Sequence, residues 1–294
     1  MGPTIPPPHR SPRPPGRFTL PPGSTDSHCH VFGPADRFPF AAERTYTPPD
    51  SGFERLVEFQ RILNLDRAVL VQASCHGTDN SAMVDAIRRA PGRFAGVAMI
   101  DRSHTDGDLE EMHEAGVRGA RLNFVRHLGG APDLDLFWWT VERIEPLGWH
   151  LDLHFDAVDF RKWAYLFDDL PVDFIIDHMG RVDASGGVDQ DPFRLLVDIV
   201  STNPRAWVKV SGAERITAMG APPYDDVVPF ARALIAAAPD RVLWGSDWPH
   251  PNVRHMPDDG DLVDLLADYA PDDDLRHRIM VDNPARLYDF GSRG

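Results

Sequence analysis

The chain has 294 residues, 42% of them hydrophobic, and a formal net charge of −15 from 30 Lys and Arg against 45 Asp and Glu. This composition predicts a soluble globular protein with a large core, and the acidic balance argues against nucleic acid or an anionic membrane as a partner. No apolar run reaches the roughly 18 residues that a membrane helix needs, and no apolar leader opens the chain, so we expect a cytoplasmic protein. Its two cysteines, Cys29 and Cys75, are expected to be reduced thiols.

The first 24 residues differ in composition from the rest of the chain. They read MGPTIPPPHRSPRPPGRFTLPPGS, with many prolines, several positive charges and no acidic residue. Proline removes a backbone donor and blocks helix formation, and such a composition does not build a core. We therefore expect an N-terminal arm over residues 1–24, either extended or disordered, followed by a single domain over residues 25–294.

From residue 25 onward, short apolar runs alternate with amphipathic helical patterns. The runs predict eight strands, at 25–30, 67–74, 94–100, 117–124, 149–155, 172–178, 206–212 and 241–248. Helices are predicted between them, for example at 53–65, 80–90, 106–116 and 226–238. This order indicates an α/β protein whose parallel βαβ units close into a single (β/α)8 TIM-type barrel. A doubly wound open sheet is the alternative, but the glycine-rich phosphate turn expected after its first strand is missing.

Polar side chains stand where the predicted strands end. They are His28, His30, Ser74, Arg121, Asn123, His154, His178, Ser211 and Asp247. In a barrel of this type the strand ends meet at the catalytic face. His28 and His30 are two residues apart and so point to the same side of their strand, whereas Cys29 points to the other. We expect these polar groups to converge on one rim.

The predicted rim carries groups that can bind a metal ion or transfer a proton. His28, His30, His154 and Asp247 together offer the imidazole and carboxylate ligands that suit Zn²⁺ or a similar ion acting on water. Asp247, in LWGSDWPHPN, is also placed to take a proton from an attacking water. His178, in FIIDHMGR, has three open roles: ligand, base or hydrogen-bond donor to a carbonyl.

Arginines at the predicted rim suggest an anionic substrate. Arg121 ends the fourth strand and Arg215 follows the seventh, and guanidinium groups bind carboxylate or sulfonate in a directional, bidentate way. Arg126 and Arg181 are weaker candidates, and any of the four can instead pair with one of the many acidic side chains. Tyr46 lies in the long loop after the first strand, where loop residues often complete a site.

The segments DSHCHVFGP, DRFPF, RTYTPPD, RGARLNFV, DHMGR and LWGSDWPHPN resemble the amidohydrolase superfamily. Within it they are most similar to the lactonase group of 2-pyrone-4,6-dicarboxylate hydrolases and their sulfomuconolactone hydrolase relatives, over nearly the whole chain after the arm. The resemblance implies a barrel that opens a lactone by adding water, with Asp247 as the base. It implies a catalytic set of His28, His30, His178 and Asp247. It also places a further group at or near substrate-binding positions: Tyr46, Ser74, Arg121, Arg181, Arg215, His250 and Asn252.

Two departures from that group leave the cofactor open. The group is expected to carry a second arginine a few residues after the one matching Arg121, and here RLNFVRHLGG offers Arg126 or His127. The fifth strand is expected to end in tyrosine but ends in His154, which in other branches of the superfamily is a metal ligand. The alternatives are one divalent ion, Zn²⁺ or Mn²⁺, or no metal. A binuclear site is not expected, because no lysine ends the fourth strand.

The predicted activity is hydrolysis of a small, multiply anionic lactone, either 2-pyrone-4,6-dicarboxylate or a related muconolactone or sulfomuconolactone. A metal-dependent decarboxylase of an unsaturated carboxylic acid is the alternative, because other barrels of the superfamily use a similar set of histidines and aspartate. A catalytically silent barrel is disfavoured by the retained histidines and Asp247. The identity of the lactone and the formation of a homo-oligomer stay open.

Overall fold

A computed structural model describes residues 2–128, 130 and 133–290 of the chain. Its eight strands form one parallel sheet in sequence order from the first to the eighth. The strands are β1 (Thr25–Cys29), β2 (Arg67–Val71), β3 (Phe94–Ala98), β4 (Val117–Asn123), β5 (His150–His154), β6 (Phe174–Ile176), β7 (Ala206–Lys209) and β8 (Val242–Leu243). The predicted α/β class and the predicted barrel are confirmed, with all eight strands inside their predicted ranges.

Hydrogen bonds between β1 and the segment after β8 close the ring. The backbone N–H of Asp247 donates to the carbonyl of His28 at 2.7 Å, and the N–H of His30 donates to the carbonyl of Trp248 at 2.8 Å. The sequence predicts a last strand over 241–248, but the regular ladder ends at β8 because the following residues leave β7 and bond to β1. Closure therefore brings Asp247 beside both histidines.

Helices connect most of the strands and cover the outside of the barrel. Those of the described residues are α1 (Phe53–Leu63), α2 (Ser81–Arg89), α3 (Asp106–Ala115), α4 (Leu134–Ile144), α5 (Phe160–Trp163), α6 (Asp191–Thr202), α7 (Ala213–Ile216), α8 (Val228–Ala237), α9 (Asp259–Asp264), α10 (Leu266–Tyr269), α11 (Asp273–His277) and α12 (Asn283–Tyr288). The four helices predicted from amphipathic patterns are present as α1, α2, α3 and α8. Among these described helices, none is long and apolar enough to cross a membrane.

Along each strand, side chains that face the helices alternate with side chains that face the inside of the barrel. Leu151 and Leu153 of β5 face the helices, whereas Asp152 and His154 face the inside of the barrel. An apolar cluster fills the lower part of the barrel: Val69, Val71, Ala95, Val97, Ile175, Trp207, Leu243 and Tyr288. His150, at the start of β5, lies against Tyr288 of this cluster, whereas the charged groups Asp152 and Lys209 lie nearer the C-terminal ends of the strands.

Residues 2–24 contain no helix and lie against the barrel. Near the start of this arm, the N–H of Ile5 donates to the carbonyl of Thr47 at 3.0 Å. The Ile5 side chain is buried in a small apolar cluster that also contains Tyr46. The start of the arm therefore supports the loop that carries Tyr46.

The acidic helix α9 is a second anchor for the arm. Arg13 forms ion pairs with Asp261 at 2.6 Å and with Asp264 at 2.8 Å. The backbone N–H groups of Gly16 and Arg17 each donate to the carboxylate of Asp264 at 2.9 Å. Asp264 thus contacts three residues of the arm, and burial of its side chain makes these contacts stronger than surface ion pairs.

We expect an Asp264→Ala substitution to release this part of the arm. Loss of charge-assisted hydrogen bonds should lower the free energy of unfolding by about 2 kcal/mol, measured by urea denaturation. Trypsin should then cut after Arg17 roughly tenfold faster, because local opening controls access to the backbone. The matched control is Asp189→Ala, which removes an ion pair between two exposed side chains. Equal cleavage rates in the two variants would show that Asp264 does not anchor the arm.

Candidate active site

A cavity of about 30 Å³ lies at the C-terminal ends of the strands. Its wall contains His30, Tyr46, Ser74, Arg121, His127, Leu128, His154, His178, Arg215, Asp247, Pro251 and Asn252. These residues come from strands β4 and β5 and from the segments that follow β1, β2, β4, β6, β7 and β8. Most of the site residues predicted from the sequence therefore meet at one cavity, as expected from the strand ends of a barrel.

Asp247 is the centre of this arrangement. Its Oδ1 lies 3.1 Å from Nε2 of His30, 3.8 Å from Nε2 of His28 and 4.0 Å from Nε2 of His178. Its Oδ2 accepts a hydrogen bond from Nε of Arg215 at 2.5 Å. Burial alone would raise the pKa of Asp247, but the charge of Arg215 and the neighbouring histidines hold that pKa well below its ordinary value. Asp247 is therefore an anion near neutral pH.

The two ring nitrogens of His30 have different partners. Nδ1 lies 2.8 Å from the carbonyl oxygen of Val71, which can only accept, so Nδ1 carries a proton. Nε2 faces the Asp247 carboxylate at 3.1 Å. That second contact is attractive when His30 holds a second proton, or when His30 and Asp247 ligate one cation.

A buried lysine below the cavity is a functional candidate that the sequence analysis missed. Lys209, the last residue of β7, is fully buried, and its Nζ hydrogen-bonds to Oδ2 of Asp152. Nζ also lies 3.0 Å from Oδ1 of Asp177 and 3.0 Å from Nδ1 of His28. Burial disfavours the charge, but the two aspartates outweigh it and raise the pKa of Lys209. The available signal was a lysine inside the apolar strand AWVKVSG.

His28 and His154 are neutral and hold one free ring nitrogen each. Burial, then the charge of Lys209, lowers the pKa of His28 well below its ordinary value. Burial, then the charge of Arg121, does the same for the pKa of His154. In both rings Nε2 is buried without a hydrogen-bond partner. These two nitrogens are available to a bound molecule.

Arg121 lines the cavity beside His154 and contacts its Nδ1. Its Nη2 lies 3.1 Å from Nδ1 of His154, and Oδ1 of Asn123 lies 3.3 Å from the same nitrogen. The nearer partner is a guanidinium, which can only donate, so Nδ1 accepts and the ring proton is on Nε2. Nε of Arg121 itself is buried without a partner.

Two of the predicted arginines lie outside the cavity wall. Arg126 is 81% exposed at its side chain and faces Asp159 at 3.4 Å. Arg181 is half-buried and donates from Nε to Asp156 at 2.8 Å. Both lie on the same side of the barrel as the cavity, but each is engaged with an acidic neighbour.

Two predicted histidines are also outside the wall: His28, whose Nε2 lies 3.8 Å from Oδ1 of Asp247, and His250, which is buried behind Asp247. Nε2 of His250 donates to Oδ1 of Asp259 at 2.9 Å, and its Nδ1 lies 3.9 Å from Oε1 of Glu214. Burial alone would lower the pKa of His250, but Asp259 and Glu214 raise it to about 10. A buried imidazolium therefore ties the loop after β8 to helix α9.

The loops after β6 and β8 contain non-glycine residues with left-handed backbone. These residues and their φ angles are His178 (49°), Met179 (51°), Arg181 (51°), Asp247 (66°), His250 (58°) and Asn252 (61°). Such a conformation costs on the order of 1 kcal/mol or more for each residue, and it persists only where the surrounding structure imposes it. The positions of His178 and Asp247 are thus set by the fold against local preference.

The fit to a metal ion depends on protons as well as on distances. The ligand atoms of His28, His30 and Asp247 all lie within 4.8 Å of one another, which suits one divalent ion. A ligating imidazole must present a lone pair. His30 can do so, because its proton is on Nδ1. His28 and His154 each have a cationic donor at Nδ1, so the predicted four-residue ligand set does not fit this protonation pattern.

Comparisons with known proteins identify relatives of the whole chain after the arm. The family described as Amidohydrolase matches residues 25–290. A 2-pyrone-4,6-dicarboxylate hydrolase of Comamonas testosteroni is 46% identical over 280 residues, which cover 92% of each chain. A 4-sulfomuconolactone hydrolase of Hydrogenophaga intermedia is 44% identical over 284 residues, or 95% of this chain and 93% of that one. A Pseudomonas putida structure, provisionally described as a 2-pyrone-4,6-dicarboxylic acid hydrolase, has a TM-score of 0.81 and 33% identity, covering 93% of this chain and 100% of that one.

The buried His250 gives the fold a specific pH dependence. Its folded pKa of about 10 exceeds the unfolded value of about 6.5, so its stabilising contribution is complete below about pH 6.5 and is lost as the pH rises toward about 10. We expect the free energy of unfolding to fall between about pH 7 and about pH 9.5, and to fall less in His250→Gln. Urea denaturation at both pH values measures this. The control is His277→Gln, because His277 is exposed and pairs with the exposed Asp282. An unchanged pH dependence in His250→Gln would contradict the assignment.

Proposed function

The chain belongs to the amidohydrolase family, and on this basis we propose that it hydrolyses the ring ester of a small, multiply anionic lactone. The substrate class is 2-pyrone-4,6-dicarboxylate or a related muconolactone or sulfomuconolactone, because both curated relatives described above carry the names of such hydrolases. The observation that carries the proposal is the meeting of an anionic Asp247, neutral histidines and Arg121 at one cavity.

Positive charge at the cavity supports an anionic substrate despite the net charge of −15. Arg215 is engaged with Asp247, whereas Arg121 has a longer contact of 3.5 Å with Asp177, so Arg121 is the main candidate to bind a substrate carboxylate or sulfonate. The unpartnered Nε of Arg121 gives it the capacity for a further hydrogen bond. Surface acids are screened within about 10 Å in physiological salt, so the local guanidinium groups dominate the potential in the cavity.

The size of the cavity implies that its wall adjusts when a substrate binds. A volume of about 30 Å³ is close to that of one water molecule and is too small for a pyrone ring with two carboxylates. Of the wall residues, Arg121 and His154 lie in strands, whereas the others lie in the segments that follow strands. We place the adjustment in those segments, because strand residues are fixed by the barrel.

In the proposed reaction Asp247 acts on a water molecule held beside the lactone carbonyl. As the water oxygen bonds to the carbonyl carbon, one water proton passes to Oδ1 of Asp247. The oxyanion that forms accepts hydrogen bonds from Nε2–H of His28 and His154. Its collapse breaks the ring carbon–oxygen bond, and the leaving oxygen takes the proton back from Asp247. One water is consumed, and one carboxyl and one hydroxyl group are formed.

The lowered pKa of Asp247 determines where most of the rate enhancement has to come from. A carboxylate with a low pKa is always in the form that can accept a proton, but it is a weak base. Stabilisation of the oxyanion therefore has to supply the larger share of the barrier reduction. An ester within a conjugated or electron-poor ring suits this arrangement, because the negative charge on its leaving oxygen is stabilised by the ring and needs little assistance from a general acid.

A divalent ion such as Zn²⁺ or Mn²⁺ would have to be held by His28, His30 and Asp247, and it would polarise the lactone carbonyl. The donor contact at Nδ1 of His28 opposes that use, and the proposed reaction has no step that needs a metal.

Replacing the proposed base should remove turnover but keep binding. We expect Asp247→Asn to lower kcat by roughly 10²- to 10⁴-fold, because the amide cannot accept the water proton, with KM changed by less than about threefold. Ring opening of the candidate lactones is followed by ultraviolet absorbance and proton release, and circular dichroism verifies folding. The control is Asp159→Asn, which lies outside the cavity wall. Full turnover by Asp247→Asn would refute the proposed role.

The same assay separates hydrolysis from the decarboxylase alternative. We expect lactones to be opened without release of CO₂, and open-chain unsaturated acids to be left unchanged. Release of CO₂ from the open-chain acids, with the lactones untouched, would overturn the proposed function.

Chelation tests the proposal that no metal takes part. After dialysis against a strong chelator, we expect kcat/KM to stay within about twofold of its starting value, because the proposed donors are protons on His28 and His154. Elemental analysis of the same sample measures residual metal. Loss of activity that only Zn²⁺ or Mn²⁺ restores would show a metal enzyme.

A further inference from the structure

Lys209 is a buried cation that the proposed reaction leaves without a role. It is fully buried below the cavity, and it reaches side chains of three other strands or strand ends. A buried lysine is costly unless it is paired, and here it is paired with Asp152 and Asp177. The contact that this pairing does not explain is the one between Nζ and Nδ1 of His28 at 3.0 Å.

The direction of that hydrogen bond is fixed by the chemistry of its two partners. An ammonium group has protons and no lone pair, so Lys209 can only donate, and Nδ1 of His28 has to accept. A neutral imidazole has a single ring proton. That proton must then be on Nε2, which is buried without a partner and lies 3.8 Å from Oδ1 of Asp247.

We propose that Lys209 is a positioning residue that keeps the His28 proton on Nε2, directed at the lactone carbonyl. This inference rests on the proposed function for the identity of the carbonyl. The location of the proton depends only on the contacts around His28. His28 is then a hydrogen-bond donor, and the same contact prevents it from offering a lone pair to a metal ion.

The surroundings of His28 show what would happen without the lysine. Oδ1 of Asp177 lies 3.2 Å from Nδ1 of His28, and in the described structure the same oxygen pairs with the Lys209 ammonium at 3.0 Å. With no donor at Nδ1, the ring proton would move there and bond to Asp177. Nε2 would then present a lone pair beside Asp247. A histidine backed by a carboxylate in this way is the usual form of a metal ligand.

A Lys209→Met substitution separates these two states, because methionine has similar length and no charge. We expect kcat to fall by roughly 10²-fold, as for the loss of one oxyanion donor, with KM within about threefold of the parent. Nitrogen-15 NMR of labelled histidine, assigned with His28→Gln, should show the His28 proton move from Nε2 to Nδ1. Zn²⁺, added alone and followed by calorimetry, should bind at least about tenfold more tightly.

Two further variants control for folding. Lys209→Met removes one positive charge from beside two buried aspartates. The double variant Lys209→Met/Asp152→Asn restores the net charge of this group. It should still show the lower kcat, the moved His28 proton and the tighter Zn²⁺ binding. Arg276→Met removes another buried cation, on α11, whose partners are Ala270 and Asp273 far from the cavity. It should change stability but leave kcat, the His28 signal and Zn²⁺ binding unchanged.

Each outcome bears on one proposal. If His28 keeps its proton on Nε2 in both Lys209 variants, Lys209 does not position it and the inference is wrong. A purely structural role would lower the melting temperature without moving the His28 signal or Zn²⁺ affinity, and it would also overturn the inference. If the parent protein opens no lactone, the proposed function fails, but the NMR and Zn²⁺ measurements still decide the role of Lys209.

Discussion

The need to pair every buried charge organises this barrel. Asp177 is the residue where the pairings meet, because it contacts Lys209 through one carboxylate oxygen and Arg121 through the other. Those two cations are the ones that contact Nδ1 of His28 and of His154. One aspartate below the cavity thus links the two histidines that the proposed reaction uses as donors. The buried cations Lys209 and Arg121 thus determine which ring nitrogen of His28 and of His154 holds the proton.

The site is also built at a local cost to the backbone. The loops after β6 and β8 hold His178 and Asp247 in left-handed conformations, and His250 ties the second loop to α9. Closure of the ring then fixes Asp247 against β1. The rest of the barrel, with its apolar lower part, supplies the stability that such conformations require. Stability and site geometry are therefore concentrated in different parts of the same barrel.

Alternation and strand ends predicted the strands and the wall residues nearest to them, whereas Asn252 was expected only from the resemblance to the lactonase group. His28, His30 and His154 stand at inward positions near strand ends, and a closed barrel brings such positions together. Contacts between residues far apart in the chain could not be predicted from the sequence. The sequence cannot show that Arg126 faces Asp159, that His250 is held by Asp259, or that Lys209 reaches His28, because those contacts depend on how elements far apart in sequence pack. The roles of the site residues remain predictions.

The start of the arm contributes to one side of the cavity. The backbone of Gly2 donates to Arg44 and that of Ile5 to Thr47, so the first residues of the chain lie beside the loop that holds Tyr46 in the cavity wall. This stretch is held by backbone hydrogen bonds and by the buried Ile5 side chain rather than by paired charges. A change at Ile5 would therefore reach the cavity through Tyr46 and not through Asp247 or Lys209. One wall of the cavity thus has a support that lies outside the barrel strands.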